Sequence, residues 1–319
     1  MNKRIIVLLV IGATITFAAW IPQQIVPTTP SGKRIKDGGA LVTLGDTIYA
    51  LQGGNSVNFF AYNPNQGTWA KRCSILYRFK INSQGDTIYI KKRVNTGGAL
   101  VACGNLIYAF KGGSTREFWA YNPSTNTWAE KCSIAAGIAH ARVRGGAALT
   151  TLDGVIYAFK GGFTNEFWMY DTNTNNWTQK ASLITPTKKI GNGAALVCYN
   201  GKIYSFTGGN TNYFYSYTPD VWVTEPVAKF GPDSIRRGKQ IKDGAALTVL
   251  NDKIYAFKGG NTQSFGYYDP AVNGWFTLDT IPKGHSRRGV RQGGSLTTYN
   301  GLIYALKGNY TREFWSYFP

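Results

Sequence analysis

GAALTTLDGVIYAFKGGFTNEFWMYDTNTNNW, Gly146 to Trp177, contains the unit that decides the fold, because close copies of it occur five more times in the chain. Its first segment, GAALTTL, and its second, VIYAFKGG, are short apolar runs joined by an Asp-Gly pair, the residue pair that a two-residue β-hairpin turn requires. A third segment, EFWMYD, alternates: Phe167 and Met169 point to one side of a strand, Trp168 and Tyr170 to the other. After the polar loop TNTNN, Trp177 opens a fourth segment. The unit therefore reads as four antiparallel strands, here called A to D, and no segment beyond the N-terminus has helical periodicity.

The copies keep register. The glycine that starts strand A recurs at Gly38, Gly97, Gly146, Gly193, Gly244 and Gly293, a period near 49 residues with one longer unit between the first two. An Ile-Tyr pair follows in each, then a diglycine in five copies and Gly308-Asn309 in the sixth. Next comes a tyrosine at 62, 121, 170, 217, 268 or 317. A tryptophan stands seven residues further on at 69, 128, 177 and 275, whereas Trp222 of the fourth copy is only five on. One four-stranded sheet cannot bury both faces, but twisted sheets stacked radially can, which predicts an all-β ring of six blades.

The sixth copy stops at Pro319 after strand C. Its missing strand D is expected from the other end of the chain. The step from Trp20 to Gly38 equals the steps from Trp128 to Gly146 and from Trp275 to Gly293. Residues 20–319 are thus expected to form one six-bladed β-propeller closed by an N-terminal strand. The stretch from Trp69 to Gly97 is about ten residues longer than the norm and contains GDTIYI, echoing GDTIYA of the first copy. It reads as an extra hairpin or as the relic of a partial duplication.

Residues 1–19 carry Lys3 and Arg4, then an apolar run to Ala19 that is short for a bilayer span of about 20 residues. That is the layout of a signal peptide, with an uncleaved anchor as the alternative and any membrane contact confined to it. A secreted, periplasmic or cell-surface location follows. Cys73, Cys103, Cys132 and Cys198 show no metal or redox spacing, and equivalent positions on neighbouring units are too far apart for a disulfide. No cofactor or metal is implied.

The net charge of +19 directs attention to anionic partners. Antiparallel strands place the start of A, the end of B, and the B–C and D–A loops on one face. Lys111, Lys160, Lys258 and Lys307 precede the glycine pair at the end of strand B, and Lys36, Arg144, Lys242 and Arg291 stand two residues before the strand A glycine. These eight are the candidate binding residues of a basic inner rim, while the opposite face reads as Asn, Thr, Asp and Gly. Lys33, Arg34, Lys188, Lys189, Arg236, Arg237, Lys239, Arg287 and Arg288 add to the basic side. Glu117, Glu166 and Glu313, at the start of strand C, are candidate acid–base groups or partners of a neighbouring cation. Nucleic acid is disfavoured because no recognition motif accompanies the charge.

A diglycine closing an apolar strand, a tyrosine, and a tryptophan seven residues on together resemble the kelch repeat, over roughly Trp20 to Pro319. The resemblance implies a kelch-type propeller, a fold used by protein-interaction modules, carbohydrate-binding surface proteins and a few enzymes. The ligand set of galactose-oxidase-like copper enzymes finds no match, with only His140 and His285 present. Exported sialic acid epimerases are the nearer enzyme analogy, though their acid–base residues map onto no named position. The expectation is an exported binding module with a basic face for an anionic glycan, surface or protein; a sugar-acting enzyme is the alternative.

Overall fold

The computed structural model describes residues 19–28, 32–90, 92–186, 188–232 and 240–319. The leader through residue 18 and the cluster Arg236, Arg237 and Lys239 lie outside the described residues. The described residues form six four-stranded antiparallel sheets and one separate two-stranded hairpin. The quoted unit is the third blade: Ala148–Leu152, Val155–Phe159, Phe167–Asp171 and Asn176–Lys180, in that order from the axis outward. Its first turn has positive φ at both Asp153 (52°) and Gly154 (77°), which is why a small, left-handed-tolerant pair stands there. The six innermost strands touch one another in sequence and the last, Ser295–Tyr299, touches the first, Ala40–Leu44, so the ring is closed.

Closure runs through the expected seam. Ala19–Pro22 pairs antiparallel with the C-terminal strand Phe314–Phe318, placing Trp20 opposite Tyr317 just as Trp177 stands opposite Tyr170. The irregular fourth copy is in the same register, Tyr217 opposite Trp222, with a tighter turn between. The long first connection is a hairpin of Arg78–Ile81 and Thr87–Ile90. It is tied to the second blade by an ion pair from Arg78 to Glu130 at 2.7 Å.

The core lies between blades rather than within them: each of six apolar clusters mixes residues from two neighbouring sheets. At the second junction Phe118 packs edge-on against Tyr170 and Trp177 of the next blade, both with centroids 4.9 Å away. Such aromatic pairs add about 0.5–1.5 kcal/mol beyond the area they bury. Polar ties repeat around the ring with the same step. The indole N–H of each outer-strand tryptophan donates to a carbonyl just past the outer strand of the preceding blade: Trp69 to Gln24, Trp128 to Cys73, Trp177 to Cys132, Trp222 to Ala181, Trp275 to Pro226 and Trp20 to Asp279. Trp20 thus does for the seam what its five counterparts do elsewhere. The four cysteines are free and half-buried.

On the loop face, a threonine or serine of each B–C loop bridges to an apolar residue of the next D–A loop, from Ser56–Val94 round to Thr311–Ile35. Nearer the axis, backbone meets backbone. Gly146 has φ of 90°, and a Cβ there would fall 2.3 Å from the carbonyl oxygen of Gly191. Gly293 meets the Lys36 carbonyl in the same way across the seam. No other residue fits where crowding and a positive φ coincide.

Candidate functional site

The two basic rows separate once the fold is formed. Lys111, Lys160, Lys258 and Lys307 are buried, so they are not an exposed rim. In the second blade Phe110 pairs with Phe118, and Lys111 and Glu117 extend that register by one step. The Lys111 ammonium meets Glu117 at 2.7 Å and the Leu76 carbonyl at 2.8 Å, and lies 5.3 Å from the centroid of Trp119. Lys160 pairs with Glu166 and donates to the Ala135 and Ala136 carbonyls. Lys307 meets Glu313 at 2.6 Å and the Pro282 and Lys283 carbonyls. Blades without the charge pair fill the two places differently: Asn58 donates to Gln52 at 2.6 Å in the first, and Ser264 faces the strand-B position of Lys258 in the fifth.

Burial pushes Lys111, Lys160 and Lys307 below the ordinary lysine value, while their glutamates pull upward. Burial also acts to raise Glu166 and Glu313. Hydrogen bonds from Lys160 and the Ala139 N–H, and from Lys307 and the Ser286 N–H, outweigh it and hold both carboxyls below the usual range. These are fixed carboxylates, each already committed to a lysine. Of the two roles open to Glu117, Glu166 and Glu313, the geometry displays the partnership with a neighbouring cation: each meets the lysine that ends strand B, in a pair that is buried or nearly so. The sequence held the clue in the constant Lys-to-Glu spacing of three copies and in the loss of both charges together in the first and fourth.

The second row behaves otherwise. Arg144, Lys242 and Arg291 are exposed and Lys36 is half-exposed, all beside the axial mouth. Arg291 lies 3.9 Å from Asp243, and Lys36 lies 3.5 Å from Asp37. The axial hollow itself is small, about 110 Å³, and takes its longer side chains from Asp37, Thr96, Asn192, Asp243 and Gln292 over a floor of glycine and alanine. A deep axial pocket where glutamate and arginine converge, as the catalytic alternative requires, is not what lines it. Among the described residues no three His, Cys, Asp or Glu side chains gather around a metal-sized point.

The richest sector spans blades two to four. The Arg144 Nε–H donates to the Ser114 hydroxyl at 2.9 Å, which aims the rest of the guanidinium outward. Arg142 donates to the Ser114 carbonyl at 3.3 Å. Around them lie two hollows. One, about 410 Å³, is lined by His140, Arg142, Arg144, Phe163, Thr164 and Lys189. The other, about 400 Å³, is lined by Asn95, Thr96, Ser114, Arg144, Phe163 and Asn192. Sequence reasoning found Arg144 and Lys189 but missed Phe163, whose exposure depends on the neighbouring blade.

This geometry defines a six-bladed β-propeller whose D–A and B–C loops surround a small, polar axial hollow. Among solved structures it is similar to one described as "Structure of YjhT", at 13% identity and a TM-score of 0.62, over 88% of this chain and 92% of that one. At that identity the likeness concerns the fold alone. No family model matches the chain, and no curated protein matches it.

Proposed function

We propose that the protein is an exported, non-catalytic propeller of kelch type that binds an anionic ligand on the face formed by its D–A and B–C loops. One observation carries the reading: the glutamates of that face are engaged by buried lysines, leaving Arg142, Arg144, Lys189, Lys242, Arg288 and Arg291 exposed with little counter-charge. Opposite them the A–B and C–D turns carry Asp46, Asp153, Asp171, Asp220, Asp252 and Asp269. Arginine suits a carboxylate or a sulfate because its planar fork offers paired N–H donors, and lysine adds a point charge. The catalytic alternative casts Glu117, Glu166 or Glu313 as the acid, and each is engaged by a buried lysine; the acids that line the axial hollow, Asp37 and Asp243, stand beside Lys36 and Arg291. Export rests on the composition of the N-terminal leader.

Retention on an acidic polysaccharide matrix at two salt concentrations tests the proposal. The protein should be held at low salt and released as salt screens the contacts. Arg142→Glu with Arg144→Glu should abolish retention, whereas Lys202→Glu with Lys253→Glu, on the opposite face, should not. Equal loss from both pairs would show that only net charge matters and would defeat the assignment of a face.

A further inference from the structure

The residue that follows the diglycine, or Gly308-Asn309, turns with φ near +60° in every blade: Asn55, Ser114, Phe163, Asn210, Asn261 and Tyr310. Asparagine accepts this left-handed conformation readily, and a bulky aromatic does not. Strain of this kind collects where a site uses it. Tyr310 has an internal reason to be there, since Lys36 stands 4.5 Å from its ring centroid and Arg288 5.7 Å. Phe163, in the blade across the axis, has none: it is 67% exposed, and among the described residues no cation caps its ring.

The neighbouring blade makes room for that ring. Where the other five blades carry Lys36, Asn95, Arg144, Lys242 or Arg291, the fourth carries Gly191. A Cβ on Gly191 would lie 3.3 Å from Cε1 of Phe163. Gly191 has no positive φ to explain it, and Lys36, Arg144 and Lys242 carry a Cβ beside the equivalent glycines 54, 162 and 260. The glycine therefore serves the phenyl ring, which leans over bare backbone with the two hollows of about 400 and 410 Å³ beside it.

We propose that Phe163 is the stacking platform of a subsite for a uronic-acid sugar. The apolar face of the pyranose would lie on the ring, and its carboxylate would meet Arg142, Arg144 or Lys189 in one hollow. Its hydroxyls would meet Ser114, Asn95 and Asn192 in the other. This rests on the reading that the loop face binds anions, and it adds the ligand class. A single-stranded nucleic acid asks for successive rings under successive bases, whereas Phe163 is one open ring set between two sugar-sized hollows.

The test is titration calorimetry of the full chain with oligogalacturonate, its neutral galactose counterpart and oligo(dT), beside thermal unfolding. Phe163→Asn puts the favoured residue at the left-handed position, so Tm should rise by about 2–4 °C while oligogalacturonate affinity falls about tenfold or more. Tyr310→Asn should leave that affinity unchanged. The neutral sugar should bind far more weakly than the acid. Unchanged affinity in Phe163→Asn, with loss in Arg142→Glu/Arg144→Glu, would overturn the platform and leave the anion-binding face standing. Tighter binding of oligo(dT) than of oligogalacturonate would overturn the ligand class. No binding of any acidic polymer by the wild type at low salt would overturn both.

Discussion

Lys160 and Arg144 belong to the same repeat, and each is one of a row of cations that recurs around the ring. Lys160 is sealed under the loops against Glu166, whereas Arg144 is held by a serine hydroxyl and faces water. The difference teaches that recurrence of a charge does not by itself mark a binding surface. In three blades a glutamate across the strand answers the buried lysine, and the first blade exchanges both for Gln52 and Asn58, whereas Lys258 of the fifth stays buried opposite Ser264. The exposed row has no such dependence and takes lysine, arginine, asparagine or glycine from blade to blade.

The largest effect should come from breaking the buried row. Lys160→Ala strands a carboxylate between blades and should cost about 3–5 kcal/mol in denaturant unfolding. Arg144→Ala should stay within about 0.5 kcal/mol of the wild type. Transplanting the first blade's solution, Lys160→Gln with Glu166→Asn, should recover most of the loss. If it does not, the pair is more than a space filler with matched polarity. Trp20→Ala should be nearly as damaging as Trp177→Ala, each about 3–5 kcal/mol for a large aromatic removed from an interblade core. A much smaller effect at Trp20 would mean that the seam is weaker than the five continuous blades.

Alkali should divide structural groups from surface ones. Burial pushes the interblade tyrosines up, Tyr121, Tyr217 and Tyr317 to about 12. A folded value above the unfolded one means stability that is intact below pH about 10 and is lost as pH rises toward 12. Unfolding midpoints should fall steeply across that window, with tyrosinate absorbance appearing together with loss of structure. Acid should do less. Glu166 and Glu313 are lowered, so their contribution is present above the ordinary glutamate value and disappears as pH drops through their folded values. The smallest effect belongs to the rim: Arg291→Ala should shift Tm by less than about 2 °C.

The ring and its seam were legible because they rest on periodic, local signals. A tryptophan at a fixed step before an axial glycine means the same thing at Trp20 as at Trp128. The two readings of the long connection could not be separated by pattern alone, and pairing of Phe79 with Tyr89 resolves it as a hairpin. The site was less legible for a physical reason. A lysine before two glycines has the composition of a solvated loop, and only strand register reveals that Glu117 lies beside Lys111. Phe163 depends on Gly191, a residue of the next blade that matters for the side chain it lacks.

The strand that closes the ring, Ala19–Pro22, is made long before its partner, Phe314–Phe318. Gln23 and the Ser316 it bonds to are separated by 293 residues, so at 5–20 residues per second the N-terminal edge waits about 15–60 s. Through that interval its backbone donors and acceptors are an open invitation to other strands. Five blades can condense meanwhile, but the circle stays a horseshoe until Tyr317 arrives opposite Trp20, which makes the waiting edge the segment most in need of protection.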